Sequence, residues 1–191
     1  MDQAGGQIGD APPVPSLADA FPDARRLGSL LRDGRLTVAV AESCTGGLLG
    51  AVLTSIAGSS AYVRGGVIAY ADDVKAGHLG VSRLLLATRG AVSKEVAEAM
   101  ATGVRQRFGA GIGVAITGVA GPDSSERKPA GLVFVAVATE RTVRGVRLDE
   151  DRGREGNRAA AVRAALALCV ETVEGLTEDG RGDSSEARDR R

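Results

Sequence analysis

Seven consecutive residues, Ala41-Glu42-Ser43-Cys44-Thr45-Gly46-Gly47, bring a carboxylate, two hydroxyls and a thiol between an apolar run and a helical pattern. In an open α/β sheet, ligands gather at such strand-to-helix turns, outside the carboxyl ends of the strands. Ser43 and Thr45 supply hydroxyls there, and Gly46-Gly47 lets the backbone approach a ligand closely. Unpaired N–H groups at the helix start favour an anion or a developing oxyanion. The same turn also reads as a plain helix start, with Ser43 or Thr45 as the cap and the glycines allowing a tight bend. Other loops carry similar chemistry: Thr117-Gly118-Val119-Ala120-Gly121-Pro122 follows a strand, Lys128-Pro129-Ala130-Gly131 precedes one, and Tyr70 ends a strand five residues before Lys75. Each lysine alone reads as solvated surface and Tyr70 as an edge of the core. Taken together, the hydroxyl-and-glycine loops with Lys and Tyr describe a phosphate- or carbonyl-directed pocket.

The remaining inventory narrows the chemistry. His78 is the single histidine, so a Ser-His-Asp or Cys-His mechanism would have to use it, and a multi-histidine metal site is excluded. Any nucleophilic step is expected to recruit Lys or Tyr as its base. Two cysteines, Cys44 and Cys169, form neither a disulfide framework nor a zinc pattern, and fit a reducing compartment. A formal net charge of zero and 3% aromatics argue against a nucleic-acid partner. There is no signal-peptide pattern, and no apolar run nears the ~20 residues that cross a bilayer. The expectation is a cytoplasmic protein with no metal, no cofactor and no membrane partner.

The elements that must hold these residues follow from periodicity. Residues 1–16, with Gly5-Gly6, Pro12-Pro13 and Pro15, read as a disordered leader, and residues 176–191 as a charged flexible tail. The folded domain is expected over 17–175, within the range of one hydrophobic core. Helices are expected at 22–32, 46–54, 93–108 and 155–174, the third capped by Ser93 with Val96, Met100 and Val104 on one face. Strands are expected at 36–41, 65–70, 112–117, 131–139 and 142–148, the last two as a hairpin around Glu140-Arg141. Strands apolar on both faces alternating with helices give an α/β fold, a three-layer α/β/α sandwich with a mixed, largely parallel sheet.

The order of motifs resembles the CinA C-terminal domain family, the nicotinamide-nucleotide amidohydrolases. The resemblance runs through Ala41 to Gly47, Ala57-Gly58-Ser59-Ser60, Gly66 to Tyr70 with Lys75, Gly90-Ala91-Val92-Ser93, Thr117 to Pro122, and Lys128 to Gly131. Three positions depart from the family pattern: Ala71-Asp72 stands where Ser-Asn is usual, Asp123-Ser124-Ser125 replaces a Gly-rich stretch, and Arg152 stands where a glycine precedes the pair Arg154 and Arg158. The resemblance implies a stand-alone amidohydrolase that converts nicotinamide mononucleotide to nicotinate mononucleotide and ammonia, assembled as a homodimer or larger homo-oligomer. It implies Ser43 as nucleophile with Cys44 as its rival, and Lys75 or Tyr70 as base and proton shuttle. Glu42, Cys44, Thr45, Gly46, Gly47, Thr117, Gly118 and Gly121 would line the substrate, with N–H groups at Thr45 and Gly46 as oxyanion donors and Glu42 orienting the base. Lys128, Arg154 and Arg158 would meet phosphate. A contrasting expectation from the same fold is a catalytically silent nucleotide-binding module that acts through a protein partner in competence or DNA-damage responses.

Overall fold

The structure, a computed structural model, describes residues 15–125 and 128–186, with side chains as far as Leu176. The leader expected at 1–16 falls almost wholly outside the described residues, as do the last residues of the expected tail. Five strands make one sheet in the order β2-β1-β3-β4-β5, where β1 is Val38–Glu42, β2 Val63–Ile68, β3 Ile112–Gly118, β4 Val133–Ala138 and β5 Val143–Leu148. β1 pairs in parallel with both β2 and β3, and β4 runs antiparallel to β3 and to β5. Four strands therefore share one direction and β4 opposes them, as expected of a mixed sheet.

The two faces of the sheet differ in side-chain size, and this sets how helices pack. One face presents Val38, Val40, Ile112, Val114, Ile116, Val133, Val135 and Val137 to α1 (Leu17–Ala20), α2 (Asp23–Asp33), α3 (Leu48–Thr54) and the last helix. The other presents Ala39, Ala41, Ala115, Ala136 and Ala138. Such short side chains let α6 (Lys94–Phe108) lie close against the strands. Gly103 of α6 continues that economy: a Cβ there would overlap the Leu79 carbonyl oxygen at the end of α4 (Asp72–Leu79). Ser93 caps α6 as expected, accepting the Val96 N–H at 3.4 Å.

Several elements differ from the sequence reading. The helix expected from Gly46 begins at Leu48, because Gly46 and Gly47 take positive φ values of 60° and 96° that an α-helix does not contain. β2 ends at Ile68, so Tyr70 lies in the loop beyond it. α4 and α5 (Arg83–Arg89) had no legible amphipathic stripe, being short and separated by Gly80 at φ 68°. The last helix, α7, starts at Gly153 and continues to Glu186, past the Glu174 at which its apolar face stops.

Candidate active site

β1 is the central parallel strand, and its end is where the chain changes sides. The β1–α3–β2 connection lies on the valine face, whereas α4, α5 and α6 return on the alanine face to place β3 on the other flank of β1. A crevice at such a switch point is the expected ligand site of an open α/β sheet. Glu42 is level with Ile68 of β2 and Ile116 of β3, so the turn at Ser43 and the loops after Ile68 and Gly118 share one end of the sheet. Those three loops do border one cleft of about 250 Å³, with Ser43, Cys44, Tyr70, Lys75, Thr117 and Arg154 among its walls.

Ser43 is pinned rather than merely presented. Its N–H donates to the Ile116 carbonyl at 2.9 Å, adding one rung to the β1–β3 ladder, and its carbonyl accepts the Gly46 N–H at 3.1 Å. The residue is 8% exposed, at the cleft wall. Gly46, expected to aim its N–H at an oxyanion, spends it in this tight turn. The Thr45 N–H is left without an acceptor among the described residues, and Thr45 itself is fully buried and is not one of the residues that line the cleft.

Glu42 takes a place different from the one expected. Its buried carboxylate accepts the N–H groups of Gly47 at 3.1 Å, Leu49 at 3.0 Å and Gly50 at 2.8 Å. These are orphan donors of the first turn of α3, which a carboxylate satisfies by charge as well as by hydrogen bonding. The carboxylate thus occupies the helix end that the sequence offered to an anion, and it holds the turn rather than the base.

Lys75 is the other unusual group. Its side chain, on α4, is 2% exposed, and Nζ donates to the Tyr70 carbonyl at 3.0 Å and to Asp72 Oδ1 at 3.2 Å. A lysine is seldom fully buried without pairing, and here it lines the same cleft as Ser43 with one donor beyond those two bonds. Tyr70 holds Lys75 through its main chain, while its ring stands 61% exposed on the cleft wall. Cys44 is buried, and that burial pushes its thiol up to about 11, with the Glu42 charge adding to the effect and Arg158 and Arg154 opposing it. A thiol held protonated is a poor nucleophile at neutral pH.

The remaining expected residues divide by location. Thr117 is buried and donates its hydroxyl to the Ala91 carbonyl at 2.8 Å, joining β3 to the loop before α6. Gly118 and Gly121 line the cleft beside it. Arg154 also lines it and donates to the Gly121 carbonyl at 2.8 Å. Arg158 lies behind the turn, donating to the Thr45 carbonyl at 3.0 Å and to both Glu155 oxygens at 3.0 Å. Lys128 directs Nζ to the carbonyls of Arg89 (3.0 Å) and Val92 (2.6 Å), tying two loops together. Two residues take parts that the sequence reading did not assign to them. Asp72 pairs with Lys75, and Asn157, 3% exposed, donates Nδ2 to the Ala120 carbonyl at 3.0 Å and to Asp151 Oδ1 at 2.8 Å. Asn157 lies at the third position after Arg154 on α7, and a buried amide at that spacing carries no motif.

A model of the CinA C-terminal domain matches residues 22–173. The chain belongs to this family. A CinA-like protein of Gemmatimonas aurantiaca is 63% identical over 113 residues, which is 59% of this chain and 26% of that one. A CinA-like protein of Frankia casuarinae is 51% identical over 149 residues, 77% of this chain and 34% of that one. The chain thus spans about a third or less of these curated relatives. Among solved structures, the competence/damage inducible protein CihA of Agrobacterium tumefaciens is 41% identical with a TM-score of 0.78, covering 84% of this chain and 98% of that one. A CinA superfamily protein of Klebsiella pneumoniae has 33% identity and a TM-score of 0.79, over 82% and 98% of the two chains. The CinA fold and the mixed sheet are thus shared. Among the described residues no helix is long and apolar enough to cross a membrane, and no group of three or more His, Cys, Asp or Glu is placed to hold a metal ion.

Proposed function

We propose that this CinA-family chain hydrolyses the carboxamide of nicotinamide mononucleotide to nicotinate mononucleotide and ammonia. The observation that carries this reading is the buried Lys75 on the wall of the cleft that Ser43 borders, in a chain whose single histidine, His78, lies outside that cleft. Ser43 Oγ attacks the amide carbon while the Lys75 amine takes the hydroxyl proton. The developing oxyanion is met by a main-chain N–H of the turn, fixed before the substrate arrives. Collapse expels ammonia, protonated by Lys75, and leaves an ester on Ser43. Water, deprotonated by Lys75, then cleaves that ester and frees the carboxylate. Arg154 lies on the cleft wall with guanidinium donors beyond its one bond to Gly121, and takes the substrate phosphate. No metal or cofactor enters this scheme. The protein acts in the cytoplasm as a homodimer or larger homo-oligomer.

We take Ser43 rather than its rival Cys44 as the nucleophile because burial pushes the Cys44 thiol up to about 11. Ammonia release from nicotinamide mononucleotide by the purified chain tests the proposal. Release that disappears in Ser43→Ala supports it. Release no greater than that of Ser43→Ala overturns it and favours the silent nucleotide-binding module.

A further inference from the structure

Charge of both signs lines the cleft. Besides Lys75 and Arg154, its walls include Asp72 and Asp123, and the exposed ring of Tyr70. Asp72 is committed to Lys75, and Arg154 to the Gly121 carbonyl. Asp123 differs: it is solvent-exposed, and among the described residues its carboxylate has neither an ion pair nor a hydrogen bond. An uncompensated carboxylate beside a small cleft repels an anionic group and attracts a cation. A phosphate alone is therefore poorly matched to this wall, and a molecule carrying separated positive and negative charges is well matched.

Nicotinamide mononucleotide is such a molecule, since its glycosylated ring nitrogen gives the pyridinium a full positive charge while the phosphate is anionic. Resting on the substrate assignment above, we infer that Asp123, together with the Tyr70 ring, recognises the pyridinium charge. The site thereby selects quaternary pyridinium carboxamides over neutral ones. An aromatic face attracts a cation placed over it, which gives the solvent-facing Tyr70 ring a part that packing does not. The phosphate then lies toward Arg154, and the two charges fix the orientation that brings the carboxamide to Ser43. The reduced mononucleotide has the same ribose, phosphate and carboxamide but an uncharged dihydropyridine ring, so it isolates the ring charge.

Calorimetric titration of the Ser43→Ala protein with the oxidised and the reduced mononucleotide tests this without requiring turnover. The oxidised form is expected to bind about fivefold more tightly, the upper scale of one solvent-screened charge contact. Asp123→Asn in the same background is expected to reduce that preference to less than twofold, and Asp123→Glu to retain it. Equal binding of the two forms, or a preference unchanged by Asp123→Asn, overturns the inference even if the wild-type chain releases ammonia. If ammonia release fails while the Asp123-dependent preference persists, the amidase reading falls and charge recognition stands. Binding of neither form overturns the inference.

Discussion

Glu42 Oε1 accepts the Gly50 N–H at 2.8 Å, so the last residue of β1 holds the first turn of the helix that follows it. With Gly47 and Leu49 on Oε2, the carboxylate closes a clamp around Ser43 to Gly46. Replacing Glu42 by Gln keeps the shape but puts an NH₂ group where backbone donors point. Leaving buried donors unsatisfied costs about 1–3 kcal/mol each. Urea denaturation of Glu42→Gln is expected to show a loss of about 2 kcal/mol or more, with kcat falling alongside because Ser43 is no longer fixed. Wild-type stability in this variant would show that the clamp is dispensable.

Asp72 is the carboxylate that pairs with Lys75. The pair supplies one of the two bonds that hold Nζ in place, the other being to the Tyr70 carbonyl. Under the proposed mechanism, Asp72→Ala is expected to lower kcat while leaving KM near its wild-type value. An unchanged kcat would separate Asp72 from the positioning of Lys75.

The two buried thiols give the fold an alkaline limit. Burial raises Cys44 to about 11 and Cys169 to about 12 from an ordinary value of 9.0. The folded chain thus retains protons that the unfolded chain releases above pH 9.0. Stability is flat with respect to these groups below that value and falls as pH rises through it toward 11 and 12. Denaturation midpoints between pH 8 and 11 are expected to decline, and Cys44→Ala is expected to lessen the decline while preserving activity at neutral pH. Iodoacetamide is expected to modify the native chain only slowly at pH 7.

Asn157 links the loop after β3 to the loop before α7. Its Nδ2, with the Gly153 N–H, also holds the Asp151 carboxyl below its ordinary range. Asn157→Ala is expected to cost about 1–3 kcal/mol through the unpaired Ala120 carbonyl. It is also expected to raise KM more than it lowers kcat, because Arg154 and Gly121 sit on the segments it joins. A change confined to kcat would contradict that division.

Most of the fold was legible because its strands are short apolar runs ending in turn residues, and because Ser93 caps a helix with a clean stripe. The site's location was legible for the same reason: Ala41 to Gly47 is punctuated as a strand, a bend and a helix. What was not legible was who bonds to whom. Glu42 reads in sequence as a free carboxylate, and only the fold of α3 back over β1 gives it three donors. Lys128 and Arg158 read as phosphate ligands, yet each bonds to backbone carbonyls brought near by distant segments. Long-range carbonyl partners leave no trace in residue spacing. α4 and α5 were missed because a few residues cannot display a helical period.

β1 is buried at all five positions and hydrogen-bonded on both edges. Amides in such a strand exchange with solvent only when much of the domain opens. Ser43 continues that ladder by one rung, so the hydroxyl proposed to react is mounted on a strand of this slow-opening kind. Its position is settled during folding rather than on encounter with a ligand, and little ordering entropy remains to be lost when the cleft fills.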